Sequence, residues 1–311
     1  MPRTFNLVRT TPPKGRYARI LACIRGQYRK TWLCPDTPRL DGRLAFVTGG
    51  TGGIGAEIVK GLARRGAEVI AAARGNASSE AACAAWSNET GSKIRFLRLD
   101  LSDLASVRAA VEVFERDWPG RRVDVFCANA GVSPHAHSLS ADGHEFAFAV
   151  NCLGHHALLK GLLNKDRLAD RARIVGATGD IYVLARDCTS DFTYSGRGLQ
   201  AYCRSKLGNL WQYGELARRH ADLTVVSVHP GVVATGLEGP QTGVGGWVKR
   251  QMLLPPSLGA QSSLIAATQE AVETGAYFHN VHGLMDLRSD DPALNLEKSA
   301  EFWSTLERLA A

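Results

Sequence analysis

The sequence has no long apolar run. Nothing in it approaches the roughly 20 residues that a helix needs to cross a bilayer, and no secretory hydrophobic region is visible. It has no CxxC pair either. The seven cysteines (Cys23, Cys34, Cys83, Cys127, Cys152, Cys188 and Cys203) are odd in number and scattered, which argues against a disulfide frame or zinc site. They read as reduced thiols of a cytoplasmic compartment. Acidic residues are scarce at one end only. Residues 1–40 hold nine Lys/Arg against the single acid Asp36, an excess of eight in a chain of net charge +7, so the rest is near −1. A balanced body behind a basic arm, with no RNA- or DNA-binding motif, argues against a nucleic-acid partner. Repeats and low-complexity tracts are also missing. A chain of 311 residues can bury a sizeable core without disulfide staples.

The basic arm and its linker take up residues 1–40. Tyr17, Ile20, Leu21, Ile24 and Tyr28 recur at helical spacing, with Arg16, Arg19, Arg29 and Lys30 on other faces. This pattern suits a helix docked on the protein's own body or on a sister subunit. It also suits an interfacial helix, residues 16–32, making peripheral contact with an anionic membrane. A mitochondrial presequence is a third reading, against which the absence of Ser counts. Cys34–Pro38 reads as a linker.

From residue 41 to 311 the pattern is that of a single domain. Apolar runs at Leu44–Thr48, Val69–Ala73, Ile94–Leu99, Val123–Ala128, Ile174–Ala177 and Leu223–Val228 alternate with helical patterns. That alternation predicts an α/β fold: a doubly wound parallel sheet of Rossmann type in three α/β/α layers. Near-continuous apolar strands fit a sheet covered on both faces.

The first strand runs into Thr48-Gly49-Gly50-Thr51-Gly52-Gly53-Ile54-Gly55, and a helix pattern follows. Glycines there let the backbone turn tightly and approach a pyrophosphate, which then faces free N–H groups at a helix N-terminus. Gly49, Gly53 and Gly55, with Thr51 and Ile54 between them, form TGxxxGxG rather than GxGxxG. Asp100-Leu101 follows the third strand and Asn129-Ala130-Gly131 the fourth. Asn151 opens Asn-Cys-Leu-Gly, Tyr202 and Lys206 form YxxxK, and Pro230-Gly231 leads through Val233 to Thr235.

Taken in this order, the motifs resemble the short-chain dehydrogenase/reductase family over the chain from about Arg43 onward. Ala201–Asn209, Glu215–Arg219, Val228–Val233 and Gly259–Ser262 are similar to its retinol-dehydrogenase and WW-domain-oxidoreductase branch. The resemblance implies a nicotinamide cofactor, with Asp100 at the adenine and Pro230–Thr235 at the nicotinamide end. It implies a lipophilic alcohol or carbonyl substrate of retinoid, steroid or aromatic type. Tyr202 would be the acid/base and Lys206 would bond the nicotinamide ribose. Asn151 would anchor a water that feeds protons to Lys206. Reduction of an activated C=C bond by the same pair, or a non-catalytic NADP-binding scaffold, are the alternatives.

The residue chemistry agrees with this. A free phenol, with a pKa of about 10, is a poor proton donor or acceptor at neutral pH, and a nearby ammonium lowers it. Tyr202 and Lys206, four apart, share a helix face. Arg74 follows the second strand, where an acid would bond a ribose 2′-OH and an Arg accommodates a 2′-phosphate, so NADP(H) is expected over NAD(H).

The pattern breaks at the end of the fifth strand. There the family places a Ser, and the count from Arg173 puts Gly179 in that column, with Thr178 before it and Asp180 after. Either Thr178 takes the role through a shift in register or the position is empty. Residues 180–200 (Tyr182, Phe192, Tyr194) and 236–256 (Trp247, Met252, Leu253) flank the site. Their apolar content suits a cleft for a bulky substrate, a packed lid or a subunit interface, and a homodimer or homotetramer is compatible with it. His135, His137, His155 and His156 fit no zinc spacing, and no metal is expected.

Overall fold

The computed structural model describes residues 3–76, 78–234 and 253–311. Its strands are β1 Arg3–Thr4, β2 Arg9–Thr10, β3 Trp32–Leu33, β4 Leu44–Thr48, β5 Glu68–Ala73, β6 Ile94–Arg98, β7 Val123–Ala128, β8 Leu168–Ala177, β9 Thr224–His229, β10 Tyr277–His279 and β11 Gly283–Met285. The helices are α1 Arg16–Lys30, α2 Gly53–Ala63, α3 Ser79–Thr90, α4 Leu104–Asp117, α5 Phe146–Asn164, α6 Leu199–Arg219, α7 Pro256–Thr268 and α8 Leu296–Leu309.

Among the described residues, nine strands form one sheet in the order β2-β11-β10-β9-β8-β7-β4-β5-β6. The neighbours from β6 to β10 are all parallel, and β11 turns back antiparallel to β10. The six strands expected from apolar runs are β4 to β9. Their ends move by a residue or so, except that β8 starts earlier, at Leu168. The sheet runs further than expected through β10, β11 and β2, which are too short to show a period in sequence.

Strand β4 shows why both faces are covered. Leu44 and Phe46 enter one core with Val107 and Phe114 of α4 and Leu158 and Leu162 of α5. Ala45 and Val47 enter the other with Ile58 and Leu62 of α2 and Leu264 of α7. Successive side chains point to opposite faces, so a strand sandwiched between helix layers must be apolar at every position. The chain leaves β4 for β5 and β6 on one side and returns to β7 on the other. This reversal opens a crevice at the carboxyl ends.

Helix α5 is long and apolar enough to cross a membrane, yet it is a core helix packed against α4 and α6. Its turn Ala149–Leu153 is a π-helix, a feature common at functional positions.

Helix α1 forms where expected but turns an unexpected face inward. Arg19, Cys23 and Gln27 are buried, while Tyr17 is 78 % exposed and Leu21 and Tyr28 also face solvent. The reason is electrostatic. The body beneath α1 offers two buried carboxylates, and Arg19 reaches Asp180 at 2.7 Å and Asp291 at 2.9 Å. A buried guanidinium without such partners would be strongly destabilising.

Candidate active site

The carboxyl ends of the strands open on a cleft of about 1080 Å³. Most of the residues singled out in the sequence line it: Gly49, Thr51, Gly53, Ile54, Gly55, Arg74, Asp100, Leu101, Asn129, Ala130, Gly131, Thr178, Tyr202, Lys206 and Pro230. Arg74 and Asp100, at the ends of β5 and β6, belong to one side. Thr178, Lys206 and Pro230, around the ends of β8 and β9, belong to the other. Asn151 is fully buried behind the wall, and Gly231 and Val233 lie just beyond Pro230. Thr235, Trp247 and Met252 fall outside the described residues.

The loop between β4 and α2 is shaped by contacts that only glycine allows. Gly49 has φ +65°, and a Cβ there would lie 3.0 Å from Ala130 Cα. At Gly55 a Cβ would lie 2.1 Å from the Gly49 carbonyl oxygen, so any side chain would push the helix off the loop. Gly52 differs: a Cβ there would meet nothing within 4 Å and would project into open space at a helix start that no side chain caps. Free N–H groups beside an open cradle fit a pyrophosphate.

Thr48, at the end of β4, ties this loop to the next strand. Its hydroxyl oxygen accepts N–H from Asn129 and Ala130, each at 3.0 Å, and lies 2.8 Å from His155 Nε2. Burial pushes His155 down to about 4, so its ring is neutral. Its Nδ1 lies 3.2 Å from the Asn151 carbonyl oxygen. The Asn151 side chain accepts N–H from Val132 at 2.8 Å and donates to Val132 O at 3.0 Å and to Ser205 Oγ at 2.8 Å. A Cβ on Gly131 would be 3.3 Å from Asn151 Oδ1 and 3.5 Å from Lys206 Nζ, so these two polar groups converge on one point.

Lys206 lies one turn after Tyr202 on α6, and its ammonium is 5.5 Å from the centre of the Tyr202 ring. Lys206 is buried and donates to Ala177 O at 3.1 Å. Burial pushes its pKa down to about 8. Tyr202 is half-buried and lines the cleft.

At the end of β8 lie Thr178, Gly179 and Asp180, where the sequence left open a shifted donor or an empty position. The Thr178 hydroxyl donates to the backbone oxygen of Lys206 at 2.9 Å and is buried. Its proton is committed to holding α6, so it cannot also be given to a substrate oxygen. Gly179 has no side chain to offer, but a Cβ there would meet nothing closer than 3.9 Å. Asp180 turns away from the cleft. It takes Arg19 at 2.7 Å, the Tyr277 hydroxyl at 2.8 Å and His279 Nε2 at 2.9 Å. Burial alone would raise this carboxyl, but His279 and Arg19 hold it well below the usual range.

A family model described as short chain dehydrogenase matches residues 43–242. The chain belongs to the short-chain dehydrogenase/reductase family. Within this family it falls in the retinol dehydrogenase branch. It is 36 % identical to human retinol dehydrogenase 11 over 261 residues, which cover 80 % of this chain and 81 % of that protein. It is 32 % identical to human retinol dehydrogenase 13, over 89 % and 87 %. Among solved structures, an uncharacterized protein from Mycobacterium paratuberculosis superposes with a TM-score of 0.69 at 28 % identity, over 88 % of this chain and 96 % of the other. An NADPH-dependent 3-quinuclidinone reductase from Rhodotorula rubra shares the fold, with a TM-score of 0.63, 20 % identity and coverage of 90 % and 98 %. This short-chain dehydrogenase/reductase is therefore an oxidoreductase, and the family implies a nicotinamide cofactor.

Sequence reasoning missed the roles of three contributors to the site. Thr48 opens the TGxxxGxG loop and His155 was set aside among the histidines, and only the fold brings the two together. Arg19 lies 161 positions from Asp180, and nothing local signals that pairing. A fourth group looks like a metal cradle: Cys23, His229 and His279 each present a ligand atom within 4.8 Å of the others. Their tautomers argue otherwise. Backbone N–H groups of Asp180 and Val281 donate to Nδ1 of His229 and His279, so in each ring Nε2 is the nitrogen that bears a proton. Those protons point at Cys23 and Asp180 and occupy the lone-pair positions a cation would need.

Proposed function

We propose that the chain is an NADP(H)-dependent oxidoreductase that moves a hydride between the nicotinamide and the carbonyl or alcohol carbon of a lipophilic substrate. The observation that carries this reading is the Tyr202–Lys206 pair, one helical turn apart at the end of a glycine-floored cleft. The nicotinamide supplies the hydride donor or acceptor when bound. Everything else falls to the chain. Lys206, beside the Tyr202 ring, favours the charged form of the phenol, which suits Tyr202 to exchange a proton with the substrate oxygen. Thr178 fixes the backbone at Lys206, and the Asn151 side chain ties Ser205, the neighbour of Lys206, to the backbone at Val132. Phe146, Val150 and Pro134 give the substrate side an apolar surface, and two of the curated relatives are named for retinol, an apolar alcohol.

Support for NADP(H) over NAD(H) comes from Arg74. It lines the cleft directly after β5 beside Gly75, Asn76 and Ser79, with no carboxylate on that stretch. A guanidinium there suits a 2′-phosphate.

The test is NADPH consumption against a panel of retinoid, steroid and aromatic carbonyls, with product analysis. Tyr202→Phe should lower turnover by at least about 100-fold while leaving cofactor binding intact. Turnover unchanged in that variant would reject the mechanism. The spent Thr178 hydroxyl and bare Gly179 favour one second reading, a scaffold that binds NADP(H) and reduces nothing. Binding without turnover across the whole panel would select it. We also assign the chain a cytoplasmic, peripheral membrane location, because α1 presents Tyr17, Leu21 and Tyr28 outward among exposed cations.

A further inference from the structure

The inner face of α1 meets the back of the active site once per turn. Arg19 pairs with Asp180, the residue after Gly179. Cys23 Sγ lies 3.2 Å from Nε2 of His229, the last residue of β9. Gln27 grips Val232 in both directions: its Oε1 accepts the Val232 N–H at 2.9 Å, and its Nε2 donates to Val232 O at 3.4 Å. Thr31, which ends the helix, takes a bond from Asn280 Nδ2 at 3.5 Å. These four positions are spaced by four residues and form one stripe.

The segments they touch are those on either side of the cleft end lined by Thr178, Lys206 and Pro230. Val232 also gives its carbonyl to Leu254 N–H at 2.9 Å, and Ala234 N–H returns to Leu254 O at 2.9 Å. The Tyr28 hydroxyl donates to the neighbouring Leu253 carbonyl. Between these contacts Gly231, at φ +90°, has no room for a side chain: a Cβ would sit 2.6 Å from Asn280 Nδ2. The backbone from His229 to Val232 is thus held from behind by groups of α1 and by Asn280. No residue of α1 lines the cleft itself.

We infer that α1 is a working part of the active site, with Gln27 and Arg19 as positioning residues that set the Pro230–Val232 and Gly179–Asp180 backbones where the nicotinamide half of the cofactor binds. The inference rests on the NADP(H) reading above. It goes beyond that reading by giving the basic N-terminal segment a role at the reaction centre. Gln27 is the informative member. Arg19 cannot be removed without taking the guanidinium from two buried carboxylates, whereas Gln27 is a neutral amide whose side-chain bonds to the site go to one peptide unit on each side of Val232.

The test separates the two halves of the cofactor. The full chain is titrated with NADP+ and with 2′,5′-ADP, which keeps the phosphorylated ribose and adenine but lacks the nicotinamide. The adenine half belongs to the ends of β5 and β6, which α1 does not touch. In Gln27→Met, NADP+ affinity should fall about tenfold while 2′,5′-ADP affinity stays unchanged. Tyr28→Phe removes one hydroxyl from a partly exposed ring and cannot empty the core. It should move the ratio the same way by about threefold, which keeps the test open if Gln27→Met does not fold. Equal loss for both ligands, or an unchanged ratio in the folded variants, would overturn the inference. Failure of the wild-type chain to bind either ligand would instead overturn the cofactor reading and is distinguishable on that ground.

Discussion

At the residue scale, the end of β8 holds the most informative positions. Thr178 gives its proton to Lys206 O, and Gly179 leaves room for a side chain whose Cβ would lie 3.9 Å from Lys206 Cγ. A Cβ at 179 would therefore stand beside Lys206 in ordinary contact with its neighbours. Gly179→Ser should raise kcat/KM for carbonyl reduction by about tenfold or more, since one donor to a developing oxyanion is worth at least that elsewhere. A fall in rate would show that the space at Gly179 serves the substrate instead. Arg74 gives a second test. Arg74→Ala should weaken NADPH binding about tenfold and leave NADH nearly unaffected. Equal loss for both would remove Arg74 from the 2′-phosphate.

Legibility at this scale followed chemistry. The glycines of the phosphate loop, Tyr202, Lys206 and Asn151 were readable because each sits in a local pattern. Thr178 was not readable in the same way. Whether a hydroxyl faces substrate or backbone depends on a carbonyl 28 residues away. Asp180 could not be given a role from sequence because its partners Arg19, Tyr277 and His279 are all remote.

At the scale of elements, β4 to β9 were legible because strands covered on both faces must be apolar throughout. Strands β2, β10 and β11, of two or three residues, carry no period at all. Helix α1 was legible as a helix but not in orientation. An apolar stripe normally points inward, and here a polar face does so because the body beneath it is charged. The outward face then combines Tyr17, Leu21 and Tyr28 with exposed Arg16, Arg25, Arg29 and Lys30. Each such cation adds about 1 kcal/mol of attraction near an anionic bilayer. The chain should sediment with phosphatidylserine-containing vesicles and not with phosphatidylcholine alone, and Arg25→Glu with Arg29→Glu should abolish this. Binding indifferent to lipid charge would count against a surface role for this helix.

At the scale of the whole molecule, buried histidines make the fold sensitive to acid. Burial pushes His155 and His156 from 6.5 down to about 4, and His229 to about 3. The unfolded chain takes up protons near pH 6.5, while the folded chain does so only well below that. The stability these rings contribute is complete above pH 6.5 and is lost as pH falls toward 4. The melting temperature should accordingly decline across that window, and a flat profile there would mean that the rings are already charged in the fold.

The route of the chain also orders its assembly. Strand β2 pairs with β11, and Arg19 joins Asp180 to Asp291. Residues 9–30 leave the ribosome long before residues 277–291 exist, so the contacts of this early segment with β11 and Asp291 wait until those residues are made. Asp180, one residue past Gly179 at the rim of the cleft, thus shares its guanidinium with a carboxylate made more than a hundred residues later, so a product that stops before residue 277 would lack this closure behind the reaction centre.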